Sequence, residues 1–209
     1  MTSSVERKRI RKSPATRRAE IVACAAVVAL SEGLECITLR RVGEDLGVRP
    51  GLVSHYFPSV EELVAEAFGS AATGELDALL PAEPATASAV ERLAAFLART
   101  AGPAWDDISR LWINARHLSR YRPSLRARVE EQEAAWRGRL TGLLAEGVER
   151  GEFRAAEDPE VVAMRILVVL DGLGANAGAD AESLPVGVAR MAFRLAEREL
   201  GLREGVLGV

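Results

Sequence analysis

Apolar residues recur along this chain at intervals of three and four, and no stretch alternates strictly between apolar and polar. The first pattern is that of helices with one buried face and the second that of half-buried strands, so the chain reads as all-α. Helices are expected at about 14–31, 39–46, 50–57, 59–80, 89–101, 104–120, 123–150, 158–176 and 184–201, nine in all. Pro14 lies near the first turn of the first helix. On that helix Ile21, Cys24, Ala25, Val28 and Leu30 form the inner face, and Gly33 suits the left-handed residue that ends it. The Pro, Ala, Thr and Ser of 81–88 read as a loop, and Gly102-Pro103, Arg122-Pro123, Gly151 and Asp158-Pro159 punctuate the rest. The expected division is a basic arm over 1–16, a three-helix unit over 17–58 and a larger helical domain over 59–209.

The segment 38–57 is the most informative. Thr38 can cap a short helix whose Val42 and Leu46 face inward, while Gly43 keeps that helix slim where the next one crosses it. Gly47 supplies the positive φ that a tight turn between helices needs. Val48, Val53 and Tyr56 complete the buried face, which leaves Arg49, Pro50, Gly51, Ser54 and His55 pointing outward. Outward residues at the start of a second short helix are those able to enter a major groove.

Charge sharpens this picture. The net charge is −3, yet residues 1–18 carry +6 and the remainder −9. A basic head on an acidic body points to a polyanion held at one end. Arg17 in the arm and Arg40 and Arg41 on the following helix are candidates for contacts with a nucleic-acid backbone. The basic stretch before Ile21 imitates a secretory signal, and Ile21-Val22-Ala23-Cys24 imitates a lipoprotein cleavage site. The apolar run before Cys24 is too short for either, and no run reaches the roughly 18 residues of a membrane span. A cytoplasmic protein with no membrane partner is expected. Two cysteines and two histidines are too few for a disulfide framework or a metal cluster, and no metal or cofactor is expected.

Ile37-Thr38-Leu39, Val42-Gly43, Leu46-Gly47-Val48 and His55-Tyr56-Phe57 together resemble the DNA-binding signature of the TetR family, over about residues 17 to 68. Gly51-Leu52-Val53-Ser54-His55-Tyr56-Phe57, with Leu170-Asp171-Gly172-Leu173, is similar to its BetI-like branch. The resemblance implies a repressor that binds double-stranded operator DNA as a homodimer and is released by a small molecule. It implies phosphate contacts from Thr38 and Tyr56, and places Arg49, Pro50, Gly51, Ser54 and His55 at or near base edges. Two positions depart from the family pattern: Arg49 stands where a capping Ser or Thr is usual, and Val60 where a lysine is frequent.

In the second domain, the helix over 158–176 has hardly any polar face, and the last helix repeats the excess. Val162, Ile166, Val169, Leu170, Leu173, Val188, Met191 and Leu195 are the expected dimer interface, a four-helix bundle built from two helices of each subunit. For a ligand pocket the candidates are Phe96, Trp105, Trp112, Asn114, His117, Tyr121, Trp136, Met164 and Asp171, polar groups isolated among apolar walls. An enzyme or small-molecule carrier with an incidental basic head is the competing class. No phosphate loop, metal spacing or nucleophile motif supports catalysis, so the chain is not expected to be an enzyme. Control by a protein partner, or activation in place of repression, also stays open.

Overall fold

The computed structural model describes residues 13–82, 87–100, 103–180 and 185–208; the arm over 1–12, the middle of the 81–88 loop and Gly102 lie outside them. Within these residues there are ten α-helices, one 3-10 turn and no strand. The helices are α1 Pro14–Glu32, α2 Leu39–Asp45, α3 Pro50–Tyr56, α4 Val60–Leu79 and α5 Ala89–Arg99. They continue with α6 Pro103–Ser119, α7 Pro123–Glu149, α8 Pro159–Asp180, α9 Val186–Ala189 and α10 Met191–Glu199, and the 3-10 turn is Leu34–Cys36.

Hydroxyl side chains start several helices by accepting an otherwise unpaired backbone N–H. Ser13 accepts from Thr16 at 3.1 Å, Thr38 from Arg41 at 3.0 Å and Ser59 from Glu61 at 3.2 Å. Ser88 and Glu91 form a reciprocal capping box on α5. Gly33 ends α1 at φ 103°, a conformation that side-chain-bearing residues rarely adopt.

The single helix expected over 184–201 is two, α9 and α10, with Arg190 at φ −91° and ψ 8° between them. Its apolar spacing runs through this joint without interruption. Helix α8 also runs four residues beyond its expected end, to Asp180.

One hydrophobic core runs from Ile21 in α1 to Leu207 beyond α10. Helix α4 is its axis, packing against α1 on one side and α7 on the other, while α8 lies against α6, α7 and α10. The core therefore passes without a gap across Pro58 and Ser59, where the domain boundary was expected. No helix among the described residues is long and apolar enough to cross a membrane.

Candidate functional site

Two features stand out, an exposed helix surface near the N-terminus and a cavity in the helical body. The first is built by α2 and α3. A Cβ on Gly43 would lie 3.3 Å from the Pro50 Cα and the Val48 carbonyl, so the two helices cross closely only because this residue has none. Gly47 turns the chain between them at φ 63°. Val42, Val53 and Phe57 are fully buried beneath, and Tyr56 is only half-buried. Arg49, Pro50, Gly51, Ser54 and His55 are all exposed on the outer side.

The basic residues of this region differ in how free they are. Arg41 is engaged by both oxygens of Glu32, at 2.9 and 2.7 Å, and by Asp45 at 2.9 Å. Arg40 pairs with Glu44 at 2.7 Å and Arg17 with Glu20 at 2.8 Å. Arg49 begins α3 without making a side-chain cap, and among the described residues no carboxylate pairs with it. Ser54 turns its hydroxyl back to the Pro50 carbonyl at 3.2 Å, and His55 stands edge-on to Tyr56.

Two polar bridges tie this unit to the body. Arg18 in α1 lies over the Phe57 ring, 4.6 Å from its centroid, and forms an ion pair with Glu66 of α4. Asn114 of α6 accepts the Leu34 backbone N–H at 3.0 Å and donates to both oxygens of Glu35, at 2.9 and 2.8 Å.

The second feature is a cavity of about 190 Å³ enclosed by α4 to α8. Phe96, Trp105, Trp112, Trp136, Met164 and Asp171 line it together. Asn114, His117 and Tyr121 do not; Asn114 makes the bridge just described, and the other two are exposed. The helical wheel explains the split. At about 100° per residue, Trp105, Ser109, Trp112, Ile113 and Arg116 share an arc of about 100°, whereas positions 114, 117 and 121 lie roughly 140° to 200° from Trp112.

Glu75 of α4 was not singled out by sequence, although its place invited it. It stands seven residues after the buried Phe68 and three after the buried Ala72, so it is an acid within an apolar stripe. Its carboxylate accepts the Trp112 indole N–H at 2.8 Å. Burial, assisted by the negative charge of Asp171, pushes the carboxyl up to about 7, against the opposing pull of the Trp112 N–H and of Arg116. Arg116 is occupied elsewhere: it binds Glu133 at 2.8 Å and Asp171 at 2.9 Å and lies over the Trp112 ring at 5.1 Å.

Residues 89–201, more than half of the chain, match the family described as BetI-type transcriptional repressor, C-terminal. The chain belongs to the TetR family of transcriptional regulators. Solved structures share the fold of this TetR-family chain. One from Pseudomonas aeruginosa PAO1, described as a transcriptional regulator, is 22% identical with a TM-score of 0.70, covering 91% of both chains. A TetR transcription regulator from Haloarcula marismortui ATCC 43049 is 18% identical with a TM-score of 0.71, covering 90% of this chain and 97% of the other. A transcriptional regulator from Rhodococcus sp. Rha1 is 21% identical with a TM-score of 0.70, covering 88% and 96%. A search of curated protein sequences finds no match.

The residues expected at the TetR-type dimer interface fall into two groups. Val162, Ile166 and Leu170 are sealed inside the chain's own core, on the inner side of α8, and Leu170 also lines the cavity. A side chain already enclosed by its own subunit offers no surface to a second one, which corrects that part of the expectation. Val169, Leu173, Val188 and Leu195 are half-buried and Met191 is 47% exposed, so these still reach the surface of α8, α9 and α10.

Proposed function

We propose that this TetR-family regulator is a homodimeric repressor which binds operator DNA through α2 and α3 and is released when a small molecule occupies the cavity. The observation that carries this reading is the outer side of α3, where Arg49, Pro50, Gly51, Ser54 and His55 are exposed together on a helix held close to α2 by Gly43. Short, uncharged residues beside one unpaired arginine let the helix sit deep in a major groove while Arg49 reaches a guanine edge or a phosphate. Thr38 and Tyr56 contact phosphates, with further backbone contacts from Arg17, Arg40 and Arg41.

A single such unit reads few bases, so two copies must act along one face of the duplex. Val169, Leu173, Val188, Met191 and Leu195 form the pairing surface, and Gly172 allows the facing helix to come near. Helices α4 and α6 connect the cavity to the DNA-binding unit, through Arg18 and Glu66 on one side and Asn114 on the other. A ligand must favour the non-binding arrangement by about 1.4 kcal/mol for every tenfold loss of DNA affinity.

Fluorescence anisotropy tests the reading, with labelled DNA from upstream of the coding sequence, excess nonspecific competitor and a salt series. Saturable binding at two subunits per site, weakening steeply with salt, is expected. Absence of binding even at low salt refutes it.

A further inference from the structure

The cavity contains polar groups that its own walls leave unanswered: Glu75 on α4, the Trp136 indole N–H and Arg137 on α7, and the buried Ser109 hydroxyl on α6. On α4, the Glu75 carboxylate receives one indole N–H and no cation, because Arg116 is shared between Glu133 and Asp171. On α7, the Trp136 indole N–H is buried with no acceptor, in a side chain only 7% exposed. Beside it Arg137 also lines the cavity, and among the described residues nothing accepts its hydrogen bonds. Glu75 projects from α4, and Trp136 and Arg137 from α7, so the two sets belong to different walls of the cavity. The rest of the lining is largely aromatic and apolar: the Phe96 and Trp136 rings, with centroids 6.0 Å apart and planes tilted by 43°, are joined by Trp105, Trp112 and Leu167.

A buried polar group without a partner destabilises the site, and a buried charge does so more. The molecule that fits supplies a cation to Glu75 and an acceptor to the Trp136 N–H at once, while the Ser109 hydroxyl, able to donate or accept, suits either end. We infer that the cavity takes a flat, dipolar organic molecule, with a protonated amine or similar cationic group at Glu75 and a carbonyl or carboxylate oxygen at the Trp136 indole N–H and Arg137. Trp105, Trp112 and Trp136 provide the faces on which its flat body and its cation rest. The inference rests on the cavity being the effector site, and it names the class of effector.

Binding releases a proton. Near neutral pH the Glu75 carboxyl is partly protonated, and an arriving cation favours its ionised form. The other titratable groups that line the cavity with it are Asp171 on α8, Arg116 on α6 and Glu133 and Arg137 on α7. Affinity for the cation therefore rises as pH increases through about 7.

All three tryptophans of the chain line this cavity, so intrinsic fluorescence reports its occupancy directly. Three para-disubstituted probes of similar size decide the matter: 4-(aminomethyl)benzamide, with ammonium and carbonyl at opposite ends of a ring; 4-isopropylbenzylamine, with the carboxamide's volume kept and the carbonyl removed; and 4-methylbenzamide, without the ammonium. The first is expected to bind at least tenfold more tightly than either of the others. Glu75→Gln is expected to erase its advantage over 4-methylbenzamide, and Trp136→Phe to reduce its advantage over 4-isopropylbenzylamine. Equal affinities for the three probes, tighter binding of the neutral one, or no quenching by the dipolar probe at millimolar concentration overturns the inference, with no variant needed. Operator release is followed in parallel. If the dipolar probe binds as expected but leaves the DNA complex intact with every cationic analogue tried, the effector reading fails and the ligand class stands. If a neutral or anionic compound occupies the cavity and releases DNA while the dipolar probe does not bind, the effector reading stands and the ligand class fails.

Discussion

Glu75 gives the protein a stability profile with pH whose sign and size follow from its surroundings. Its carboxyl is held up at about 7 in the folded chain, against an ordinary value of about 4.5. Between those values the folded state binds more protons than the unfolded one, so stability falls as pH rises through the window, and the loss is complete above the folded value. The gap corresponds to about 3 kcal/mol at about 1.4 kcal/mol per pH unit. Other carboxyls act elsewhere: Glu32, Glu91 and Glu146 are held below their ordinary range by Arg41, by Ser88 and by Arg92. Their contribution is present at neutral pH and lost on acidification below about 4.5. Glu75→Gln keeps an oxygen for the Trp112 N–H and removes the titration, so the difference between wild type and variant isolates this one group. Urea unfolding from pH 4.5 to 8, at fixed protein concentration and without ligand, should show wild type losing about 3 kcal/mol relative to the variant. Parallel profiles across that range would refute the argument, since they would mean that the cavity hydrates the carboxylate as well as water does.

Four further outcomes are expected. Gly147→Ala on α7 would drive a methyl into the Phe153 ring and within 2.9 Å of the Ala89 side chain; thermal unfolding should register a loss of about 1 to 3 kcal/mol. Gly142→Ala on the same helix, with nothing within 4 Å of the new methyl, should be neutral or slightly stabilising. In anisotropy titrations Arg49→Ala should weaken operator binding more than Arg41→Ala, whose guanidinium is already engaged by Glu32 and Asp45. Asn114→Ala should cost about 1 to 3 kcal/mol by leaving the Leu34 N–H unpaired, and should speed hydrogen exchange at that amide while leaving exchange in α7 unchanged.

The helices were legible because their starts carry chemical marks. Thr38 accepts the backbone N–H that its position in sequence suggested, and Ser13, Ser59 and Ser88 do the same at three other helix starts. The break at Arg190 was not legible, since Val188, Met191 and Leu195 keep helical spacing across it and spacing alone does not register a change of axis. On α2 and α3 the two glycines were readable, because each answers a backbone demand that only glycine meets. The engagement of Arg40 and Arg41 was harder: Glu44 and Asp45 lie four residues on and are visible as helix neighbours, but Glu32 reaches Arg41 from another helix. The cavity followed the same rule. Its aromatic residues were evident by type, whereas assigning Asn114, His117 and Tyr121 to it required knowing which arc of α6 faces inward.

The same geometry explains why events in the cavity would be felt at the DNA-binding unit if the proposed function holds. Helix α4 carries Glu66, which grips Arg18 above Phe57, and Glu75, nine residues further on and so about 14 Å along the axis. Helix α6 carries Trp112 and Arg116 on the cavity side and Asn114 on the side facing Leu34 and Glu35. The 2.8 Å bond between Glu75 and Trp112 joins these two helices inside the cavity. Each helix thus holds the unit of α1 to α3 by its own polar bridge, and the two meet again at a carboxylate that a cationic ligand would claim. A ligand that takes Glu75 from Trp112 changes the spacing of α4 and α6, and the unit can follow only by shifting against one bridge or the other. A pathway of this kind needs no long relay, because side chains one or two positions apart on α6 already face the two sites.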